Sequence, residues 1–343
     1  MKCTACQWYC QIPEGFVGVC GVRANVKGKL KLLVDGRVSS VAIDPIEKKP
    51  LYHFLPGSQI LSLGTVGCNF SCKFCQNWQI SQTPKLKRNE LLVEKVDKKR
   101  FFPELKQWIE SVTQPLSPKE AVELAKKYKT PSIAFTYNEP TIWVEYAEKV
   151  MRLAKKEGLK GVFVSSGYES KETLARLKDL IDGYNIDLKG ATEEFYRQYT
   201  GTELKKVLKT IERLVGMGKW VEVTTMLIPG VNDSEKEVRW IARFLKGLSP
   251  EIPWHVTGFY PHYLMRNHEP TSYDRLRWAW EIGKEEGLKY VYTGNRPSWE
   301  TESSFCPQCG NLLIWRQGWQ VEVKGLREGK CEQCGAEIAG VWS

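Results

Sequence analysis

The chain has 343 residues, 42% hydrophobic and 26% charged, enough apolar content for a core and unlike disordered or fibrous sequences. The formal charge is +10, but the densest basic run, 85–100, lacks the interleaved aromatics of a base-stacking platform, so nucleic-acid binding is not favoured. No apolar run reaches the ~18 residues of a membrane span and the start has no apolar signal core, so no membrane association and a cytoplasmic location are expected.

In chain order, a Cys-rich module and connector is expected over 1–56. Cys3, Cys6, Cys10 and Cys20 have spacings that suit a structural zinc or an auxiliary iron–sulfur cluster. Strand-like pieces at 29–34 and 38–43 flank Asp35-Gly36, a hairpin signal, and 44–57 reads as a connector. Over 57–297, strands are expected at 59–64, 132–136, 161–165, 184–188, 220–227, 254–259 and 290–293. Residues 85–100, with Lys85, Lys87, Arg88, Lys95, Lys98, Lys99 and Arg100, read as a solvated insertion. Ser117-Pro118-Lys119-Glu120 is a capping box opening a helix to about 129. Further helices are expected at 141–157, stopped by Gly158, and at 171–181, 203–216, 234–248 and 273–286. Repeated βα units imply an α/β fold with a parallel sheet and outer helices. Their number fits a partial (β/α)6-type barrel, with an open doubly wound sheet as the alternative. Beyond 298 the rhythm ends. Over 298–343, Cys306, Cys309, Cys331 and Cys334 form two C-x2-C-Gly knuckles of a zinc-ribbon or rubredoxin-like module. Zinc is favoured over iron there, and Trp315 and Trp319 are expected to pack its small core. Trp78, Trp143, Trp254, Trp278 and Trp280 read as core.

All 11 cysteines fall in three clusters of four, three and four, and spaced thiols in a reducing compartment hold metals more often than disulfides. The middle cluster, Cys68, Cys72 and Cys75, follows the first strand of the βα region. Three thiolates in one loop reach one polynuclear centre and leave a metal position open; a three-thiolate zinc completed by a remote histidine is the rival. Ligand-binding residues of βα folds gather at strand carboxyl ends. Those ends carry Asn138-Glu139, Ser165-Ser166, Asp187-Leu188-Lys189, Ile228-Pro229-Gly230 and Tyr260-Pro261-His262. Each has a plainer reading as well: a helix entry, a turn, an ion pair fastening a loop, or a structural histidine.

The C-x3-C-x-aromatic-C pattern of 68–75 resembles the signature of the radical S-adenosylmethionine (SAM) superfamily. Residues 67–78, 134–140, 186–189 and 227–234 together resemble its glycyl-radical-activase-related branch. With the N-terminal cysteines and 46–54 added, the chain resembles most closely the radical SAM member of the AmmeMemoRadiSam system, a pyruvate formate-lyase activating enzyme homologue. The resemblance implies that Cys68, Cys72 and Cys75 hold a catalytic [4Fe–4S] cluster whose open iron takes the amino and carboxylate groups of SAM. It implies Phe74 near the adenine and Glu139 on the SAM amino group, although Tyr-Asn-Glu departs from the family's Gly-Gly-Glu-type motif. Asn138, Ser165, Ser166, Asp187, Lys189, Tyr260 and His262 are the further SAM contacts expected. The implied chemistry is reductive cleavage of SAM to a 5′-deoxyadenosyl radical and hydrogen abstraction from a protein or peptide. A one-electron donor such as a ferredoxin or flavodoxin would serve it. Radical modification of an RNA or small metabolite, and a non-catalytic zinc-binding adaptor, are the alternative readings.

Overall fold

Serine caps set where the helices begin. Ser117 Oγ accepts the Glu120 amide at 3.2 Å and the Glu120 carboxylate accepts the Ser117 amide at 2.7 Å, so helix Pro118–Lys127 opens on a complete capping box. In this computed structural model, which describes residues 1–343 except the side chains of Lys98 and Lys99, Ser170, Ser234 and Ser272 likewise cap Lys171–Leu177, Glu235–Leu248 and Tyr273–Glu285. The expectation of solvation for Lys98 and Lys99 lies outside the described residues. Gly158, at φ 75°, ends the helical stretch before it as expected.

The chain forms two units, Met1–Asp44 with Ile60–Asp182, and Pro45–Gln59 with Gly183–Ser343. In the first, β1 (Arg23–Val26) pairs antiparallel with β2 (Lys29–Leu32) across Lys27 and Gly28, whose φ values are 51° and 71°. Two positive φ angles in a two-residue loop match the strand twist. The hairpin expected at Asp35-Gly36 is therefore not the one that forms. Gly36 does turn the chain, at φ 67°, but the strands beyond it pair elsewhere. β3 (Arg37–Val38) and β4 (Ser40–Pro45) separate, β4 lying beside β5 (Gln59–Gly64) and β3 pairing with β6 (Gln114–Pro115).

With β7 (Ser132–Phe135) and β8 (Lys160–Ser165), the sheet order in this unit is β4-β5-β7-β8. β5, β7 and β8 are parallel. Their side chains are buried on both faces, as covered parallel strands require. Trp143, fully buried as expected, stacks on Tyr146 at 4.9 Å. The basic run becomes helix Thr83–Val93 and the start of helix Lys98–Ser111. Lys95 and Arg100 are exposed, whereas Lys85 is only 7% exposed. Its ammonium donates to Ser71 Oγ at 3.1 Å, to Gln82 Oε1 at 3.0 Å and to the Phe70 carbonyl, which corrects the solvated reading at that residue.

In the second unit β9 (Gly183–Asp187), β10 (Trp220–Leu227), β11 (Trp254–Gly258) and β12 (Val291–Gly294) lie in that order, all parallel. Helices Leu204–Gly216, Glu235–Leu248 and Tyr273–Glu285 alternate with them, and the α/β reading holds. β13 (Ser304–Phe305), β14 (Leu312–Gln317) and β15 (Gln320–Val323) make an antiparallel sheet. Cys306, Leu313, Ile314, Cys331 and Ile338 pack there with Tyr52, Tyr290 and Tyr292. Trp319 is 58% exposed and Trp315 half-buried, so neither forms that core. Arg316 points inward instead, donating to Ser304 Oγ at 2.8 Å and the Tyr52 carbonyl at 2.6 Å. Trp254 is fully buried, while Trp78, Trp278 and Trp280 are half-buried.

The 44–57 connector docks through Glu222. This buried carboxylate accepts the amides of Tyr52 at 2.9 Å and His53 at 2.8 Å, Trp220 Nε1 at 3.0 Å and His255 Nε2 at 2.6 Å. Burial alone would raise its pKa, but His255 and the other partners hold it below the ordinary value. His53 Nδ1 lies 2.7 Å from the Ala339 carbonyl and must donate to it, so Nε2 accepts the Tyr292 hydroxyl at 2.6 Å. Burial pushes His53 down to about 4. Among the described residues no helix is long and apolar enough to cross a membrane.

Candidate functional site

The three-cysteine loop leaves β5 through two glycines that nothing larger fits. A side chain at Gly64 would meet Tyr137 Cδ2 at 2.9 Å and the Thr136 carbonyl at 3.0 Å. Gly67 has φ 97°, and a Cβ there would lie 2.8 Å from the Cys20 carbonyl oxygen. Asn138, just beyond β7, clamps the loop. Its Oδ1 accepts the Thr65 amide at 3.1 Å and its Nδ2 donates to the Gly67 carbonyl at 2.8 Å. Asn77 Nδ2 donates to the Tyr137 carbonyl at 2.8 Å, a second tie between the loop and the end of β7. Cys68 and Cys72 are buried and Cys75 is half-buried; Phe74 is buried between them. Burial pushes the Cys68 thiol up to about 11, against the pull of the Lys85 ammonium.

Glu139 joins the ends of β7 and β8. Its Oε1 accepts Thr141 Oγ1 at 2.7 Å and Ser165 Oγ at 2.8 Å, and its Oε2 accepts the Ser166 amide at 2.8 Å. Burial raises its pKa. Glu139 also caps the turn Pro140–Trp143, so the helix-entry reading describes one part of what this side chain does. Beside it stands Glu169, which the sequence reading missed. Glu169 is fully buried, with the Ser165 and Thr141 side chains against its carboxyl group. Burial first, and the charge of Glu139 second, push it up to about 8. The available signal was an acidic residue shortly after the Ser165-Ser166-Gly167 strand end.

The first unit thus brings Asn138, Glu139, Ser165 and Ser166 together in hydrogen-bonded contact with each other or the cysteine loop, and adds Lys85 and Glu169. Asp187, Lys189, Tyr260 and His262 belong to the second unit. Lys189 Nζ pairs with Asp187 at 2.7 Å, and Asn232 Nδ2 donates to the Lys189 carbonyl at 2.7 Å, fixing the turn after β9. Tyr260 is 41% exposed and donates to the Asn295 carbonyl at 2.9 Å; His262 is half-buried.

The cysteine sets differ in spacing. Cys306 Sγ lies 3.6 Å from Cys334 Sγ, and Cys309 Sγ 3.7 Å from Cys331 Sγ. Metal–sulfur bonds of ~2.3 Å in a tetrahedron place sulfurs ~3.8 Å apart, so this group is already arranged for one metal ion. Among the described residues it is the only set of three or more His, Cys, Asp or Glu whose ligand atoms all lie within 4.8 Å. Cys68, Cys72 and Cys75 are spread more widely. Three thiols on one loop without mononuclear spacing fit a cluster in which each thiolate takes its own iron.

The sequence model of the radical SAM superfamily matches residues 62–241, a span holding the three-cysteine loop, the Asn138 clamp and the Glu139 network. The chain belongs to the radical SAM superfamily. Membership implies a [4Fe–4S] cluster and SAM, and makes the protein a radical SAM enzyme. This radical SAM chain is 38% identical over 341 residues to an uncharacterized protein of Methanocaldococcus jannaschii, covering 98% of this chain and 95% of that protein. A second protein of that organism, provisionally named a glycyl-radical enzyme activating enzyme, is 30% identical over 241 residues, covering 68% of this chain and 79% of that one. The crystal structure of a radical SAM methyltransferase from Sphaerobacter thermophilus is similar in fold, with a TM-score of 0.50 at 17% identity, covering 70% of this chain and 67% of that one.

Proposed function

We propose that this radical SAM enzyme holds its [4Fe–4S] cluster on Cys68, Cys72 and Cys75 and abstracts hydrogen from a protein or peptide, as a glycyl-radical enzyme activating enzyme does. The observation that carries the reading is the loop clamp, in which Asn138 fixes the cysteine loop while its neighbour Glu139 bonds Ser165 and Ser166. When bound, the cluster and SAM supply one chemistry: an electron cleaves SAM to methionine and a 5′-deoxyadenosyl radical, which takes a hydrogen atom from the substrate.

The protein's own residues bind and orient. Asn138 holds the loop backbone, and the buried Lys85 ammonium offsets thiolate charge. Glu139 and Glu169 are the acceptors for the SAM ammonium, where a carboxylate in a dry site binds a cation strongly. Ser165 and Ser166 serve the SAM carboxylate or ribose, and Phe74 serves the adenine. The Cys306 set holds zinc. A ferredoxin or flavodoxin supplies the electron, and eleven cysteines outside any disulfide suit the reducing cytoplasm.

The relative provisionally named a glycyl-radical enzyme activating enzyme supports a protein substrate. The test is anaerobic turnover with SAM and reductant in extract from cells grown on deuterated medium. Deuterium should enter 5′-deoxyadenosine from the protein fraction. Label drawn only from the RNA or small-molecule fraction would overturn the substrate class.

A further inference from the structure

Four thiols of the first unit have no part in the proposed SAM chemistry. Cys3, Cys6 and Cys20 are buried and Cys10 half-buried. The Cys3 amide donates to the Cys10 carbonyl at 2.9 Å, and the Gly18 amide to the Arg23 carbonyl at 2.8 Å, which folds the segment back on itself. The segment is also anchored to the ends of the βα elements. The Gln7 amide donates to the Tyr168 carbonyl at 2.9 Å, Thr173 Oγ1 to the Ala5 carbonyl at 2.7 Å and Trp8 Nε1 to the Asn69 carbonyl at 2.9 Å. All four thiols line a single cavity, and Asn69 forms part of its wall.

Two observations bear on what fills that cavity. The first is spacing. The Cys306 set shows what this protein does for a single ion, with all four ligand atoms within 4.8 Å. The N-terminal four share a cavity without meeting that limit, although a tetrahedral ion would need its sulfurs ~3.8 Å apart. Four thiolates on different irons of a sulfide-bridged cluster need no such approach. The second is Asn69, 1% exposed on the wall of that cavity, whose side chain is hydrogen-bonded to the Cys6 sulfur. A hydrogen bond donated to a sulfur favours its thiolate form, the form that binds iron. Asn69 Nδ2 is thus in place to donate to the sulfur of a ligating Cys6.

We infer that Cys3, Cys6, Cys10 and Cys20 ligate a second iron–sulfur cluster, walled by Asn69, the residue that follows Cys68. Its ligands are distinct from those proposed for SAM cleavage, and its presence does not depend on that reaction.

The experiment counts acid-labile sulfide and zinc in the full-length chain purified anaerobically, as wild type, as Cys68→Ala/Cys72→Ala/Cys75→Ala and as Cys3→Ala/Cys6→Ala. Sulfide decides, because an iron ion at the Cys306 set brings none. Wild type should hold about six to eight sulfides per chain, the triple variant about two to four, and Cys3→Ala/Cys6→Ala about four. A wild type with about four sulfides and about two zinc ions, whose triple variant has no sulfide, would overturn the inference. Should the triple variant fail to fold, the wild-type count alone separates the two outcomes. A protein that makes no 5′-deoxyadenosine yet keeps sulfide sensitive to Cys3→Ala/Cys6→Ala would leave this cluster standing while the proposed reaction falls.

Discussion

Asn138 is the residue on which the three-cysteine loop depends most. Its amide satisfies the Thr65 N–H and the Gly67 carbonyl together. Asn138→Ala leaves both backbone groups buried and unpaired, at about 1–3 kcal/mol each. Denaturant titration should show the loss, and reconstituted variant should retain less iron. Asn138→Asp keeps the acceptor for Thr65 but sets a buried carboxylate oxygen against the Gly67 carbonyl, so it should cost at least as much. Glu139→Gln and Glu169→Gln each remove a carboxyl group that would ionise against the SAM ammonium. SAM binding measured by calorimetry should weaken about tenfold to a hundredfold, the range of a lost charge-assisted hydrogen bond. Unchanged affinity in both would contradict the assigned role. The cysteines and Glu139 are legible in the sequence because their chemistry depends on spacing along one loop or position at one strand end. Lys85 and Glu169 are not, since no local pattern says which lysine of a basic run turns inward or which acid is buried.

Secondary structure was legible wherever a local device decides it. The Ser117 capping box and Gly158 stop stand where the sequence placed them, and Ser117→Ala should cost about 1 kcal/mol in thermal or denaturant unfolding. The N-terminal hairpin was misplaced because lysine is not a turn residue by composition, yet Lys27 takes the left-handed conformation beside Gly28. Trp315 and Trp319 misled for a related reason. Hydrophobic size suggested a core, but β14 turns Leu313, Ile314 and Arg316 inward. Gly67 is the most constrained position on the cysteine loop. Gly67→Ala combines φ 97° with a 2.8 Å approach to the Cys20 carbonyl, a strain of about 1–3 kcal/mol before any relaxation. Lower melting temperature with reduced cluster content is the expected result.

For the whole chain, the alternation of strands and helices was readable from period alone, whereas the polar anchoring of 44–57 on Glu222 was not, because it joins residues far apart in sequence. That anchoring has a pH signature. Unfolded His53 titrates near 6.5 and folded His53 at about 4. Between those values the unfolded chain binds a proton that the folded chain does not, so stability falls as pH drops through that window. The contribution lost from pH 7.5 to 5 is about 2 kcal/mol. It should appear as the difference between wild type and His53→Gln in denaturant titrations at the two pH values, and equal slopes would contradict it.

In the proposed reaction Cys68, Cys72 and Cys75 support reductive cleavage of SAM. Anaerobically reconstituted protein, given SAM and dithionite, should release 5′-deoxyadenosine and methionine, and Cys72→Ala should release neither. A cluster-loaded wild type that forms no 5′-deoxyadenosine, or a Cys72→Ala variant that forms as much as wild type, would contradict that role.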